Sequence, residues 1–250
     1  MKLIEADKDY LRKYHRIFPN KDEAEQYLDE CWNRNAIVIS WLDELRSQGV
    51  HDVLELGSNP YFLSLLIQKY FPFNLQLANY FGDSSRNGLQ NDPMEIEGKT
   101  HEFIYQHFNI EQDRFPYPDA SFDVVIFCEI IEHLLMSPDA PVSEINRILK
   151  PGGFIIISTP NAVRLANIAH LVRGRNIYPG YSPHGPYGRH NREYTLDELK
   201  DLLRHHGFEV TKAEIIDLHP HSWKRRIAKV IGPESWRDHL FVMGKKTLAD

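Results

Sequence analysis

The sequence predicts an α/β fold with one mostly parallel sheet of seven strands and helices on both of its faces. Short apolar runs alternate with helical patterns between residues 50 and 207. These runs are apolar at nearly every position, which is typical of strands whose two faces are both covered by helices. No clear helical pattern separates the last two runs, so the sheet is expected to end in an antiparallel strand.

The individual elements follow from apolar spacing and from turn and capping residues. Strands are predicted at residues 53–56, 75–80, 102–108, 123–128, 154–158, 208–216 and 240–244. A helix over 21–48 is predicted from apolar residues at helical spacing, and one over 60–70 from the N-cap Asn59. Further helices are predicted over 142–149 and after Thr195, which forms a capping box with Glu198.

The chain is expected to divide into two parts. Residues 1–49 are predicted to be an N-terminal helical extension or a lid, and residues 50–250 a single domain. Residues 160–194 of that domain are rich in proline, glycine, tyrosine and histidine. This composition favours a substrate-facing loop, with partial disorder as the alternative. His184 and His190 are expected to face the active site from this loop.

Composition restricts the class of protein and its partners. The formal net charge is −6, so the chain has no general basic field, and nucleic acid is not expected as a partner. Two distant cysteines make neither a disulfide framework nor a thiolate zinc site. The polar N-terminus and the lack of a long apolar run predict a cytoplasmic protein without a membrane span. A homodimer is possible.

Four sequence segments together resemble the motifs of class I S-adenosylmethionine-dependent methyltransferases. The segments lie at 53–57, at 122–134, at 149–161 and at 194–210. Their order and spacing extend the resemblance over about residues 50–245. The resemblance implies a Rossmann-like sheet, S-adenosylmethionine as cofactor and S-adenosylhomocysteine as product.

The resemblance also implies a role for individual residues in holding the cofactor. Residues after strand one would bind its methionine end, residues after strands two and three its ribose and adenine, and residues after strand four would lie near the sulfonium. In this order, the implied cofactor-binding residues are Glu55, Gly57, Asn79, Asn109, Ile110, Cys128 and Glu129.

Two features of this chain depart from the family pattern. Asn59 and Tyr61 stand where the first motif usually has its second and third glycines. Asn79 stands where an acid usually binds the ribose hydroxyls, with Asp83 a little further on. A dinucleotide oxidoreductase is disfavoured on the same grounds, because no GxGxxG motif occurs and no acid ends strand two.

A metal site is predicted directly after strand four. If residues 129–133 are helical, Glu129, Glu132 and His133 share one face and could bind a divalent cation. The segment resembles the ExxEH motif of ubiquinone-pathway O-methyltransferases and of small-RNA 3′-end methyltransferases, and by that resemblance His190 would complete the site. The cation would be Mg²⁺ or a similar ion, and Glu132, His133 and His190 would be the catalytic residues. The alternative is that no metal binds and that His133 acts as a base or fixes the edge of strand four.

The predicted function is O-methylation of a small polar acceptor. A sugar or sugar-nucleotide hydroxyl of surface glycan biosynthesis is the leading acceptor. The alternatives within the enzyme class are a quinone-type phenol, a phosphorylated or phosphoramidate acceptor and an RNA 3′ end. The alternative from another class is a non-catalytic binding module with this fold, which the altered glycine motif would favour.

Overall fold

The computed structural model describes residues 1–14, 20–178, 180–182, 185–218 and 232–248, and His184 lies outside them. The described residues form one sheet of eight strands and six α-helices. The helices are α1 (Glu5–Arg12), α2 (Lys21–Arg46), α3 (Phe62–Tyr70), α4 (Asp139–Ile148), α5 (Leu165–Val172) and α6 (Leu196–His205). None of these helices combines the length and the apolar character that a membrane crossing requires.

The sheet is parallel in its centre and antiparallel at both edges. Its strands are β1 (Asp52–Leu56), β2 (Asn74–Asn79), β3 (Gly88–Ile96), β4 (Lys99–His107), β5 (Phe122–Cys128), β6 (Leu149–Pro160), β7 (Phe208–Ile216) and β8 (His239–Lys246). Their spatial order is β3-β4-β2-β1-β5-β6-β8-β7. Strands β4, β2, β1, β5 and β6 pair in parallel, and β8 runs antiparallel to both β6 and β7. The predicted α/β sheet with an antiparallel last strand is therefore confirmed.

The eighth strand is β3, which the sequence analysis did not predict. Strand β3 pairs with β4 through a two-residue turn at Glu97 and Gly98, both of which have positive φ. It lies at the edge of the sheet, alternates between exposed and partly buried residues along most of its length and contains Pro93. Such a strand lacks the continuous apolar run by which the central strands are recognised.

Residues on opposite sides of the sheet belong to two separate apolar cores. Along β1, Val53 packs in the core that contains α2 and α3, whereas Leu54 packs in the core that contains α4 and α6. The N-terminal helix α2 lies on a sheet face, where the ring of Trp41 packs edge-on against Phe241 with centroids 6.1 Å apart. A lid role for residues 1–49 stays a prediction.

The segment predicted as a long loop contains helix α5 in its first half. Its prolines and glycines concentrate after residue 178, so nothing in the first half prevents a helix. The isolated bridge between Asn161 and Tyr194 holds the two ends of the segment together. The carboxyl ends of the parallel strands all open at this edge of the sheet, which is where ligands bind in such folds.

Candidate active site

The turn after β1 brings the backbone close to its neighbours. Gly57 has a φ of +66°, and a Cβ atom at this position would lie 2.8 Å from Ile130 Cδ1. The Gly57 amide donates a hydrogen bond of 2.8 Å to the Ala78 carbonyl, which fixes the turn against β2. A side chain at position 57 would therefore displace Ile130, so only glycine fits here.

The two residues that replace the usual glycines have structural partners. The Asn59 amide donates to Asn79 Oδ1 at 2.9 Å. Tyr61 has a φ of +67°, stacks on Phe103 with centroids 4.2 Å apart, and donates its hydroxyl to Asp92 at 3.1 Å. The altered motif is therefore an ordered turn that is held by the main-chain N–H of Asn59 and by the side chain of Tyr61.

Two cavities lie on either side of this turn. The smaller, of about 110 Å³, lies between the turn and α2, and its lining includes Glu55 and Cys128. The larger, of about 280 Å³, lies over β2 and β4, and its lining includes Asn79, Asn109 and Ile110. Both cavities share Gly57 and Glu129. The structure thus brings all seven predicted cofactor-binding residues to one continuous region.

Glu55 is a buried carboxyl group at the base of the smaller cavity. It accepts a hydrogen bond of 2.6 Å from Ser64 Oγ. Burial raises the pKa of Glu55 to about 8, which the Ser64 hydrogen bond only partly opposes. The group is therefore protonated at neutral pH. Cys128 lines the same cavity, and burial raises the pKa of its thiol to about 12.

The amides of the larger cavity are partly engaged in the protein. Asn79 Oδ1 accepts from the Asn59 amide, and Asn79 Nδ2 lies 3.5 Å from the Tyr61 hydroxyl. Asp83, the acid further along, accepts hydrogen bonds from Ser85. Asn109 Nδ2 donates at 3.4 Å to Tyr187 Oη, which brings the long segment over the cavity. The roles of Asn79 and Asn109 toward a cofactor stay predictions.

Glu129 is held by three partners in a tight turn rather than in a helix. Its φ is +56°, and a short 3₁₀ helix, Ile131–His133, follows it. Arg34 Nη1 lies 2.7 Å from Glu129 Oε2, while His239 Nε2 and Ser158 Oγ each lie 2.7 Å from Oε1. Burial alone would raise the pKa of Glu129, but the charges of His239 and Arg34 hold it well below its usual range.

The residues of the predicted metal site therefore separate into two groups. Glu132, His133 and His190 each place one possible ligand atom within 4.8 Å of those of the other two. The expected helical face does not form, and Glu129 lies outside this group because Arg34 and His239 hold its carboxylate. We call Glu132, His133 and His190 the EHH cluster.

The EHH cluster contains a buried oxygen to which no described residue donates a hydrogen bond. Glu132 is 1% exposed; Thr159 Oγ1 donates to its Oε2 at 2.9 Å, and among the described residues its Oε1 has no hydrogen-bond partner. Burial, and then the charge of Glu129, raise the pKa of Glu132 well above its ordinary value. A buried carboxylate oxygen beside two imidazoles fits a cation, which would satisfy that oxygen.

Both histidines of the cluster are oriented by outer partners. His133 Nδ1 donates at 2.9 Å to the Arg189 carbonyl, and His190 Nδ1 lies 3.3 Å from Glu193 Oε1. These bonds leave Nε2 of each ring as the nitrogen with a free lone pair. Such outer partners fix the tautomer and the orientation of metal-binding histidines in proteins.

Arg34, His239, Glu193 and Thr159 were not predicted from the sequence. Arg34 interrupts the apolar stripe of α2 between Cys31 and Val38. A charge within an apolar stripe is the one sequence signal that could have identified it. His239 and Thr159 come from strands that are distant in sequence, so spacing along the chain could not relate them to Glu129 or Glu132.

Comparisons with known proteins agree with this architecture. A family model described as a methyltransferase domain matches residues 4–213. A "Probable S-adenosylmethionine-dependent methyltransferase" of Mycolicibacterium smegmatis is 39% identical over 105 residues, which are 42% of this chain and 35% of that protein. A ubiquinone biosynthesis O-methyltransferase of Ruegeria pomeroyi is 29% identical over 146 residues, 58% of this chain and 57% of that protein. The matched segments thus span about a third and somewhat over half of these two relatives.

One solved structure shares the fold across nearly the whole chain. It is the 1,6-didemethyltoxoflavin-N1-methyltransferase of Burkholderia thailandensis with bound 1,6-didemethyltoxoflavin and S-adenosylhomocysteine. The TM-score is 0.53 at 16% sequence identity, and the alignment covers 97% of this chain and 88% of that one. At this identity the likeness establishes the fold alone.

Proposed function

The chain belongs to the methyltransferase-domain family of S-adenosylmethionine-dependent enzymes, and we propose that it methylates a hydroxyl group of a small polar acceptor with the help of a divalent cation. The first acceptors to test are the sugar and sugar-nucleotide hydroxyls of surface glycan biosynthesis. The proposal rests on one observation: in the described part of the chain the buried Oε1 of Glu132 has no hydrogen-bond partner, and it lies beside His190 and 4.0 Å from His133 Nε2.

The two cavities provide the site for S-adenosylmethionine, which supplies the methyl group when bound. The proposal assigns the methionine end to the smaller cavity, which Glu55 and Cys128 line, and the adenosine to the larger one, which Asn109 and Ile110 line. Gly57 lines both cavities and therefore lies at their junction. Arg34 also lines the smaller cavity, so its guanidinium is available to a carboxylate there.

The EHH cluster is the proposed acceptor side of the site. His133 lines the larger cavity, so the cluster adjoins the proposed adenosine site. When bound there, a divalent cation would lower the energy of the alkoxide that develops on the acceptor oxygen. Two imidazoles and one carboxylate suit transition ions such as Mn²⁺ and Zn²⁺ as well as Mg²⁺, so all three ions belong in the assay.

The proposal is tested by the double substitution Glu132→Ala with His133→Ala. Calorimetry with Mn²⁺ is expected to detect one site in the wild type and none in the double variant. Turnover of hydroxyl acceptors is expected to fall by at least about 100-fold, because the loss of two ligands should cost no less than the loss of their outer partners. S-adenosylhomocysteine affinity is expected to stay within about twofold. His51→Ala, at a side chain that is 67% exposed, is the matched control.

Different failures of this test have different meanings. Full turnover after removal of divalent ions would show that the reaction needs no metal, and His133 would then be the candidate base. Loss of S-adenosylhomocysteine affinity in the double variant would contradict an acceptor-side role for the cluster. No affinity for S-adenosylmethionine in the wild type would identify a non-catalytic member of the fold.

A phenol is the second candidate acceptor. Aromatic side chains that follow β2, that follow β4 and that belong to the long segment line the larger cavity, namely Tyr80, Phe81, Phe108 and Tyr187. Such a lining suits the flat adenine ring that the assignment above places here, so the support for a phenol comes from a relative of this chain. The Ruegeria pomeroyi relative is named for ubiquinone biosynthesis, which supports the same acceptor class. A catechol series assayed beside the sugar series separates the two candidates.

A further inference from the structure

Helix α5 exposes apolar side chains and buries a polar one. Its sequence is Leu-Ala-Asn-Ile-Ala-His-Leu-Val, and Asn167 is its one buried residue. Asn167 Nδ2 donates to Glu193 Oε2 at 2.6 Å and to the Ala162 carbonyl at 2.9 Å. Leu171 is 60% exposed and Val172 82% exposed. A surface helix normally presents the opposite pattern, so this helix has apolar surface to offer a partner.

The segment that carries this helix contains basic but no acidic residues. Residues 161–192 contain five arginines and no aspartate or glutamate, although the whole chain has a net charge of −6. Arg164 and Arg192 are paired with Glu193 and Glu198. Arg173 and Arg175 follow α5 directly and are exposed, and neither has a carboxylate partner among the described residues. We call Leu171, Val172, Arg173 and Arg175 the α5 surface.

The chemistry of the α5 surface favours an anionic lipid bilayer over other anionic partners. Exposed aliphatic side chains cannot stack on bases, so Leu171 and Val172 add nothing to binding a nucleic acid. A symmetric dimer through this surface would bring two copies of Arg173 and Arg175 together, and like charges would oppose it. An anionic bilayer accounts for both the apolar and the basic residues of this surface. Apolar side chains enter the bilayer interface, and neighbouring basic side chains contact the anionic headgroups.

We propose that the α5 surface is a membrane-docking site that binds the protein reversibly to anionic bilayers. Leu171 and Val172 would enter the interface, and Arg173 and Arg175 would lie at the lipid phosphates. Because α5 is attached through Asn167 to Glu193, which also contacts His190, docking places the candidate active site next to the bilayer.

The proposal is tested by co-sedimentation of the full chain with vesicles. Vesicles of phosphatidylglycerol and phosphatidylcholine are compared with vesicles of phosphatidylcholine alone, at low and high salt. Arg173→Gln with Arg175→Gln is expected to lower the partition coefficient by about 25-fold, at about fivefold per charge. Leu171→Ser with Val172→Ser is expected to lower it at least about tenfold. Two matched controls are expected to keep the partition coefficient within about twofold of the wild type. They are Lys2→Gln with Lys99→Gln for the charges, and Leu89→Ser, at a 66% exposed leucine, for the apolar residues.

Three results would overturn the proposal. One is equal binding to charged and uncharged vesicles, and another is an equal loss of binding in the control variants. The third is binding of a short single-stranded RNA, but not of vesicles, that the arginine variants abolish. Thermal unfolding midpoints of all variants identify any loss that comes from misfolding. The outcome does not depend on the acceptor or on the metal, so the vesicle assay and the turnover assay can fail independently.

Discussion

At the scale of single residues, Gly57 has the narrowest tolerance in the site. Its positive φ and the nearness of Ile130 Cδ1 act together, because a Cβ atom would be strained by the backbone and would also overlap a buried side chain. The motif predicted the glycine, but the steric reason became visible only when Ile130, from beyond β5, was placed beside the turn.

We expect Gly57→Ala to destabilise the protein by about 2–5 kcal/mol, the sum of the left-handed backbone cost and of overpacking. Gly49→Ala is the control, because Gly49 has a φ of +84° and nothing within 4 Å of its Cβ position. The control is expected to cost about 1–2 kcal/mol. Urea unfolding measures both, and equal losses would show that the contact with Ile130 is unimportant.

At the scale of elements, α2 is connected to the sheet at the site by the Arg34–Glu129 ion pair. Arg34 belongs to α2, Glu129 follows β5, and His239 begins β8. One carboxylate thus joins three elements that are distant in the sequence. A sequence pattern can predict each element, but it cannot predict which charged side chains of different elements meet.

We expect Arg34→Met to destabilise the protein by about 1–3 kcal/mol, because it leaves Glu129 Oε2 without its 2.7 Å partner. It should also weaken S-adenosylhomocysteine binding, since Arg34 lines the smaller cavity. Arg46→Met is the control on the same helix; its pair with Asp43 is at the surface and should contribute less than about 1 kcal/mol. Urea unfolding measures the loss of stability, and calorimetry measures the affinity for S-adenosylhomocysteine. Equal values for the two variants would contradict a role of Arg34 in connecting α2 to the sheet.

The hairpin of β3 and β4 shows how an element is missed. Strand β4 has apolar inward positions and was predicted over 102–108, close to its observed range of Lys99–His107. Strand β3 pairs with it along its whole length, yet only two of its nine residues are fully buried. Edge strands of this kind are stabilised by their neighbour's backbone, which no pattern within the strand itself reveals.

At the scale of the whole molecule, the sequence predicted the alternation of strands and helices. It predicted only in part which side chains meet at the candidate site. The central strands were predicted because burial on both faces makes them apolar throughout. The EHH cluster forms because the long segment returns over β5, where the Asn191 amide donates at 2.7 Å to the Glu132 carbonyl. The composition of the long segment predicted that His190 faces the site, but only the resemblance to a family joined it to Glu132, because no periodicity connects the two residues.

Global stability is expected to depend on the protonation of Glu55. Its pKa is about 8 in the folded protein against an ordinary value of 4.5, so the folded state holds a proton that the unfolded state releases. Stability therefore falls as pH rises from about 4.5 to about 8, by a few kcal/mol at about 1.4 kcal/mol per pKa unit.

Glu55→Gln is expected to remove this dependence, because glutamine keeps an oxygen for Ser64 and carries no proton to lose. The urea midpoint of the wild type should decline as the pH is raised from roughly 5.5 to roughly 8.5, and the midpoint of the variant should decline less. Glu209→Gln, at an exposed position on β7, is the control and should follow the wild type. A wild type whose stability does not change over this range would contradict the raised pKa.

The carboxylate of Glu193 has a consequence for communication across the molecule. Its Oε1 contacts Arg164 at 2.7 Å and His190 at 3.3 Å, while its Oε2 accepts from Asn167 of α5. Glu193 thus joins α5 to the imidazole of His190 through one carboxylate. If binding at the outer surface of α5 changes the affinity of His190 for a ligand, thermodynamic reciprocity requires that this ligand change binding at α5 by the same factor. Measuring either effect would then measure both.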